Sequence, residues 1–385
     1  MRYDNDLNFV FANTPKVIFG DGAIADLGTM LSEMGSERAV IVTDPFLAEK
    51  TDLLDRVQKA MGPRCAGAFT GVVPDPTAAS MDAGAEQARS LQADALVSLG
   101  GGSAIDSAKA MAVVLSEGGQ ILDHEGYHAL TRPLLPHIAI PTTAGTGSEM
   151  TMVTVVKDPA RGQKTFIGSH FLHPVLAVLD PSLTVGLPAR LTAATGMDAM
   201  CHAVESLFSS LRQPFSDACA LQAIEMIATH LPRCIEQADD LEARGQMLIA
   251  ASLAGTAFSN AMVSLNHALA HSLGARFGIH HGTANAMLLP HTMRLFAEDA
   301  AEPLSRAARA MGIDTKAEQA AEATAAWMEQ FLVRIGLTDR LADYSVTDAN
   351  LEEIADMALA DGSIIYSPRP IFETQEMVAL LRKAL

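Results

Sequence analysis

Two pairs of potential metal ligands stand four residues apart in segments with helical periodicity. Asp198 and His202 form one pair, in TGMDAMCHAVES, and His267 and His271 form the other, in NHALAHSLG. Residues four apart share one face of a helix, so each pair can point at a single spot. His281 follows past a glycine-containing turn. One carboxylate and several imidazoles suit a divalent metal such as Fe²⁺, Zn²⁺, Co²⁺ or Mn²⁺, and the spacing leaves open which of these five candidates bind it.

A run of three glycines and a serine follows a short apolar segment. Gly100, Gly101, Gly102 and Ser103 come directly after ALVSL and before a helical pattern that contains Asp106. Glycines let a backbone approach a phosphate closely, and the start of a helix presents N–H groups and partial positive charge. The run favours a pyrophosphate cradle, although it differs from the G-x-G-x-x-G of the usual dinucleotide fold. The alternative is a tight strand-to-helix turn.

Two further strand ends carry polar residues. The loop PTTAGTGSE spans 141–149, and its hydroxyl groups and glycines can bond a ribose or a phosphate, or can merely cap the next helix. Asp44 can accept hydrogen bonds from the adenosine ribose and repel a 2′-phosphate, or can simply form a turn with Pro45. Because ligands bind at the carboxyl ends of parallel strands, the loops together predict a nucleotide site that prefers NAD to NADP.

The secondary structure predicted to position these residues alternates between strands and helices in the first half of the chain and is helical in the second half. Apolar runs of about five residues indicate buried parallel strands, with helical patterns between them. The predicted strands are Ala39–Thr43, Ala95–Leu99, His137–Pro141 and Val175–Leu179, and the predicted helices include Thr77–Gln92 and Ala104–Ser116. Phe9–Phe19 predicts a small hairpin. This alternation is typical of an α/β layer with a parallel sheet.

From about Pro188 onward the pattern is helical, with breaks expected at prolines and glycines: Pro214, Pro232, Gly274–Gly282, Pro290, Gly312 and Gly336. We therefore expect an α/β dinucleotide-binding domain over 1–184 and an all-α metal-binding catalytic domain over 185–385. No flexible linker separates them, so we expect tight packing and a ligand site in the cleft between them.

The composition of the chain excludes some classes of binding partner and indicates a cellular compartment. The chain has 385 residues, 49% of them apolar, and a formal net charge of −18, which disfavours nucleic acid and anionic membranes. The four cysteines are scattered without a C-x-x-C pair, and the N-terminus has no apolar signal region. We therefore expect the protein to reside in the reducing cytoplasm. The residues between Arg244 and Arg276 carry no formal charge, and we expect them to form buried helix rather than a membrane span.

The sequence resembles the iron-containing (group III) alcohol dehydrogenases, which share a fold with glycerol dehydrogenase and dehydroquinate synthase. The resemblance covers nearly the whole chain, from PKVIFGDGAIADLG to SPRPIFETQEMVALLRKAL. Its most specific blocks are GGGSAIDSAKA, PTTAGTGSE, LPARLTAATGMDAMCHAVES and NHALAHSLGARFGIHHGTANAMLLPH. It implies a dehydroquinate synthase-like fold and a homodimer or larger homo-oligomer.

The resemblance also implies roles for individual residues. The family's metal ligands match Asp198, His202, His267 and His281, and His271 matches a nearby histidine that assists proton transfer. The cofactor-binding positions match Asp44, Gly101, Gly102, Ser103, Asp106, Thr142, Thr143, Thr146, Lys164 and, as an adenine-packing residue, Leu183. Asp75 stands where many members carry asparagine. Glu205, one turn beyond His202, is expected to support the metal ligands or to act as a polar partner.

These assignments predict hydride transfer between NAD(H) and a small alcohol, aldehyde or ketone at a bound Fe²⁺, with Zn²⁺ or another divalent ion as alternatives. A hydroxyacid–oxoacid transhydrogenase and a dehydroquinate synthase-like lyase are alternatives on the same scaffold. A metallohydrolase conflicts with the two nucleotide loops. The substrate stays open among short alcohols, diols and hydroxy-acids, as does the physiological direction.

Overall fold

The computed structural model describes residues 7–12, 15–161 and 163–385. The chain divides into two compact units, one formed by Ala12–Gly186 and the other by Leu187–Leu385 together with residues 7–11. The first unit is α/β and the second is helical, which confirms the predicted fold class.

The α/β unit alternates strands and helices. Its strands are β1 (Lys16–Phe19), β2 (Ala39–Val42), β3 (Cys65–Phe69), β4 (Ala95–Gly100), β5 (Gly126–Tyr127), β6 (His137–Pro141), β7 (Val153–Asp158), β8 (Gln163–Gly168) and β9 (Leu176–Leu179). Its helices are α1 (Leu27–Glu33), α2 (Pro45–Lys50), α3 (Leu53–Met61), α4 (Ala78–Ser90) and α5 (Gly102–Glu117). The four predicted strands and the two predicted helices are all confirmed to within two residues at each end.

Six of these strands form a parallel sheet in the order β1-β9-β6-β4-β2-β3. The strands β2, β4, β6 and β9 are buried along their whole length, which is why their sequences are continuous apolar runs. β3 and β4 lie on opposite sides of β2, so the strand order reverses at β2. Such a reversal opens a crevice at the carboxyl ends of the strands, where ligands of doubly wound folds bind.

The predicted hairpin at Phe9–Phe19 is wrong. Within that range, residues 13 and 14 lie outside the described residues, and the described remainder contains only β1, which pairs in parallel with β9. The segment therefore forms a sheet strand through pairing with a buried strand that is distant in sequence, and not through a local hairpin. A small second sheet, β5-β8-β7, was also not predicted; β7 and β8 pair in antiparallel register and β5 joins β8 in parallel.

The helical unit contains nine α-helices and no strand within its described residues. They are α6 (Ala189–Phe208), α7 (Pro214–Glu236), α8 (Leu241–Ala261), α9 (Leu265–Phe277), α10 (His281–Leu295), α11 (Ala301–Ala310), α12 (Ala320–Arg334), α13 (Leu351–Leu359) and α14 (Thr374–Ala384). Pro214 starts α7 as predicted, but Pro232 and Pro290 lie inside α7 and α10. Both prolines are buried, so packing offsets the lost backbone hydrogen bond.

The uncharged stretch forms most of α8 and all but the last residues of α9. Most of the residues of these two helices are buried, as predicted. Among the described residues, no single helix combines the length and the apolar composition of a membrane span, and α8 and α9 meet that criterion only as a pair bent by 105°.

Candidate functional site

Three helices of the helical unit bring four of the five metal-ligand candidates together. Asp198 and His202 lie on α6, His267 lies in the first turn of α9, and His281 is the first residue of α10. One ligand atom from each lies within 4.8 Å of the others. Gly282 makes this arrangement possible, because a side chain there would collide with the backbone carbonyl of Ala194 on α6. Sequence analysis missed that close approach.

The three distances from Asp198 to the imidazoles are close to those of a four-coordinate site. Asp198 Oδ1 lies 3.4 Å from His281 Nε2, 3.8 Å from His267 Nε2 and 3.9 Å from His202 Nε2. Donors about 2.1 Å from a tetrahedral ion lie about 3.4 Å apart, so one carboxylate and three imidazoles fit a divalent first-row metal. Burial alone would raise the pKa of the Asp198 carboxyl, but the neighbouring histidines hold it below its usual range.

Asn285 shows that the acceptor atoms converge. Its amide nitrogen donates to Asp198 Oδ1 at 2.9 Å and lies 3.2 Å from both His267 Nε2 and His281 Nε2. The orientation of this amide is set by Asn266 Nδ2, which donates to Asn285 Oδ1 at 3.0 Å. Three acceptor atoms therefore face one point. Asparagine carries no ligand-spacing signal, so sequence analysis did not single out Asn285.

Glu205 is fully buried behind His267. Its Oε2 pairs with His267 Nδ1, and its Oε1 accepts from Ser264 N at 3.0 Å, Ser264 Oγ at 2.7 Å and Asn266 N at 3.0 Å. Burial opposes ionisation, but His267 and these donors lower the pKa of Glu205. The carboxylate keeps the ring proton of His267 on Nδ1, which leaves the Nε2 lone pair on the side of Asp198.

His271 stands beside the four-residue group rather than in it. Its ring stacks on His281 with centroids 5.3 Å apart, and its Nδ1 donates to Asp361 Oδ2 at 2.8 Å. Burial alone would raise the pKa of Asp361, but the hydrogen bond and charge of His271 hold it below its usual range. Asp361 also accepts from Ser363 N at 2.8 Å. Asp361 is 90 residues from His271, which is why spacing could not reveal it.

In the α/β unit, the loops after β2, β4 and β6 meet. Thr142 N donates to Gly100 O at 3.0 Å. A Cβ atom on Gly100 would lie 3.9 Å from Asp44 Oδ2, and one on Gly102 would lie only 2.7 Å from the Thr146 side chain. Glycine is therefore required at position 102 for the close approach of the glycine run to the loop that contains Thr146. Asp44, the glycine run and the threonine loop lie together, as the nucleotide hypothesis expects.

The neighbouring position Gly101 fits the same pattern, because a Cβ atom there would lie 3.1 Å from Thr143 Oγ1. Ser103 lies in the first turn of α5, half-buried. Asp44 also caps α2, since its Oδ1 accepts from Leu47 N at 2.9 Å. The turn-forming role and the ribose-binding role are therefore compatible, because the other carboxylate oxygen lies beside the glycine run.

Asp106 joins α5 to the threonine loop, residues 141–149, and to β7. Its carboxylate accepts from Ser148 Oγ at 2.5 Å and from Val155 N at 3.1 Å. Lys109, one turn further along α5, donates from Nζ to Ser148 Oγ at 3.2 Å and to Thr151 O at 2.9 Å, and burial lowers its pKa to about 8. Sequence analysis gave Lys109 no role. The structure makes it a buried support of the threonine loop.

The two remaining cofactor predictions lie elsewhere in the α/β unit. Lys164, on β8, donates to Asp75 Oδ1 at 2.6 Å. This ion pair explains why an acid suits position 75. Leu183 is only 3% exposed and belongs to the hydrophobic core of the unit. Contact of either residue with a nucleotide stays a prediction.

Comparisons with known proteins match the same family along both units of the chain. The family model described as iron-containing alcohol dehydrogenase matches residues 14–181, and the model of the C-terminal part of the same family matches residues 192–385. The NAD-dependent methanol dehydrogenase of Bacillus methanolicus is 35% identical over 96% of this chain and 98% of its own length.

Two solved structures are similar over 98% of this chain. A crystal structure of 1,3-propanediol oxidoreductase is 35% identical, is covered in full and superposes with a TM-score of 0.95. Sulfoacetaldehyde reductase from Bifidobacterium kashiwanohense, in complex with NAD⁺, is 29% identical, is covered over 99% of its own chain and has a TM-score of 0.90. The matches support a metal-dependent alcohol oxidoreductase and do not favour the transhydrogenase or lyase alternatives. The chain belongs to the iron-containing alcohol dehydrogenase family.

Proposed function

We propose that this protein transfers a hydride between NAD(H) and a small alcohol or the corresponding aldehyde or ketone. In this proposal, the α/β unit, predicted from the sequence as residues 1–184, is the NAD-binding domain, and the helical unit, predicted as residues 185–385, is the metal-binding catalytic domain; residues 7–11 lie with the helical unit. The observation that carries the proposal is the cluster of one carboxylate and three imidazoles on α6, α9 and α10, buried except at the half-buried His281, with His271 beside it. The family membership supports the same reaction class.

The metal ligands in this proposal are Asp198, His202, His267 and His281. Their spacing and chemistry fit Fe²⁺, the metal of the family name, and also Zn²⁺ or another divalent first-row ion. When bound, such an ion supplies Lewis-acid chemistry at an alcohol or carbonyl oxygen. Glu205 holds His267 in the tautomer whose Nε2 can act as a ligand.

The nicotinamide cofactor would be held by the loops after β2, β4 and β6. The glycine run at the start of α5 offers backbone N–H groups to the pyrophosphate, and the threonine loop offers hydroxyl groups. A carboxylate at Asp44 favours an unmodified ribose, hence NAD. A methanol dehydrogenase relative that is named NAD-dependent and a reductase relative solved with NAD⁺ support this choice.

His271 is the proposed proton carrier. Because its Nδ1 donates to Asp361, the neutral ring has its acceptor lone pair on Nε2. Nε2 would take the alcohol proton as the hydride departs to the nicotinamide, and would return it in aldehyde reduction. The ionised Asp361 stabilises the imidazolium that forms and keeps the ring in place, as an orienting carboxylate does in other proton-transfer sites.

The decisive experiment is an anaerobic assay of the protein reconstituted with Fe²⁺. Formation of NADH from NAD⁺, or of NADPH from NADP⁺, is followed against a panel of alcohols, diols and hydroxy-acids. NADH formation that is lost on chelation supports the proposal. No turnover in protein that demonstrably binds NAD and metal would contradict it and would support the transhydrogenase alternative, in which the cofactor stays bound.

Two alanine variants separate the roles of the histidines on α9. His267→Ala should lose metal and activity together, whereas His271→Ala should keep its metal content and lose rate. Metal analysis after gel filtration, run beside the activity assay, distinguishes them. Full metal content in His267→Ala would contradict the ligand assignment.

We also propose a homodimer or larger homo-oligomer, as family resemblance suggests, and a reducing cytoplasmic compartment, as the scattered cysteines suggest. Light scattering of the purified protein tests the first of these. A monomer at micromolar concentration would contradict it.

A further inference from the structure

We propose that the alcohol site of the helical unit selects neutral substrates and discriminates against alcohols that carry a carboxylate, sulfonate or phosphate group. This inference rests on the proposed function and narrows its substrate class. It separates the hydroxy-acids, which the sequence left open, from simple alcohols and diols.

The first observation is an excess of negative charge. The carboxylates of Asp198, Glu205 and Asp361 all lie at or directly behind the histidine cluster. Within the described part of the chain, each of these three carboxylates forms ion pairs with histidines and none with lysine or arginine. Three negative charges exceed the two positive charges of a divalent ion, so the site is net negative whenever the imidazoles are neutral.

The second observation is that the helices of the site offer no spare cation. Residues 245–275, which include most of α8 and most of α9, contain no lysine or arginine. The basic residues of α6, α9 and α10 lie near the helix ends, and each is engaged by a carboxylate: Arg190 by Asp339, Arg276 by Glu353, and Arg294 by Glu322 and Glu329. A substrate anion would therefore find no lysine or arginine on these helices that a carboxylate does not already engage.

The third observation is an aromatic ring packed against the histidine cluster. The ring of Phe258, on α8, stacks on His202 with centroids 4.2 Å apart and an interplanar angle of 19°. An aromatic side chain beside the cluster suits the carbon chain of an alcohol, whereas burying an unpaired anion beside it carries a large desolvation cost.

The size of the effect follows from Coulomb's law. One uncompensated charge pair about 6 Å apart, at an effective dielectric constant near 20, changes a binding or rate constant about 100-fold. We therefore expect a neutral alcohol to exceed an anionic alcohol of equal length by about 100-fold in kcat/KM, and by a similar factor in affinity.

The test compares 1,3-propanediol with 3-hydroxypropanoate, which differ at one terminal group. Affinity is read from changes in the d–d absorption of the Co²⁺-substituted protein, which does not require turnover, and kcat/KM is measured separately. Preferential binding of the diol supports the inference even if hydride transfer fails. Equal or tighter binding of the anion overturns the inference while leaving alcohol oxidation intact, and no response to either compound overturns the proposed function together with the inference.

A variant that removes one charge tests whether the preference for the neutral substrate is electrostatic. Asp361→Asn removes one negative charge and should reduce the preference for the diol about tenfold, whatever its effect on the absolute rate. Asp348→Asn, an exposed site that pairs with Arg382 on the surface, is the matched control and should leave the ratio unchanged. A ratio unchanged in Asp361→Asn would contradict the electrostatic origin of the selectivity.

Discussion

Replacing Glu205 by glutamine should weaken metal binding while preserving the shape of the helical unit. Glutamine is nearly isosteric, and three donors from Ser264 and Asn266 already converge on Oε1. They will hold the amide oxygen at that position. The amide nitrogen must then face His267 Nδ1, which has to become an acceptor. The ring proton moves to Nε2, the atom that lies 3.8 Å from Asp198 Oδ1.

The magnitude follows from the tautomer. Loss of a partner that orients a metal-bound histidine lowers metal affinity about 10- to 100-fold, which corresponds to about 1.4–2.7 kcal/mol. Glu205 belongs at the upper end, because it is fully buried and its charge is the one that faces Nδ1 of His267. The thermal midpoint of the metal-free protein should change much less than metal affinity, since the hydrogen bonds to Oε1 survive.

The assay is a competition titration of Co²⁺ and Zn²⁺ against a chromophoric chelator, with circular dichroism as a check on folding. Glu302→Gln, an exposed carboxylate that pairs with Arg212, is the matched control and should bind metal as the native protein does. A Glu205→Gln protein that folds and binds metal within twofold of the native affinity would refute the tautomer argument.

Three further perturbations test other parts of the molecule. Asp361→Asn should lower kcat about tenfold at unchanged metal content, because His271 loses its orienting carboxylate; steady-state kinetics with metal analysis decides, and an unchanged kcat contradicts it. Asp44→Ser should raise kcat/KM with NADP⁺ relative to NAD⁺ about tenfold, since serine still caps α2 but removes the charge; an unaltered ratio in initial-rate assays argues against ribose recognition. Burial lowers the pKa of His137 to about 3, so the unfolded state takes up the proton first and stability falls as pH drops below about 6.5. The free energy of unfolding should therefore be about 2 kcal/mol lower at pH 5 than at pH 8. Urea unfolding at the two pH values should show this difference in the native protein and a smaller difference in His137→Gln.

Local patterns were enough to predict much of this protein. The strands β2, β4, β6 and β9 are short, fully buried apolar runs, so hydrophobic pattern and length identified them. The pairing of Asp198 with His202 on one helix face needs only the helical repeat. The polar loops after three strands were predictable for the same reason, because parallel strands place their carboxyl ends at one edge of the sheet.

Contacts between distant segments were beyond those patterns. The periodicity left five ligand candidates, and it is the packing of α6, α9 and α10, with Gly282 against Ala194, that groups four of them and sets His271 apart. The parallel pairing of β1 with β9 replaced the predicted hairpin for a similar reason.

The supports of the site also depend on tertiary structure. Asp361 reaches His271 across 90 residues, and Glu205 reaches His267 across 62. The sequence by itself determined which segments are helix or strand and which side chains can bind a metal or a nucleotide, because those properties depend on neighbouring residues. Tertiary structure alone decided which of those side chains meet, because a contact between distant segments depends on how whole elements pack.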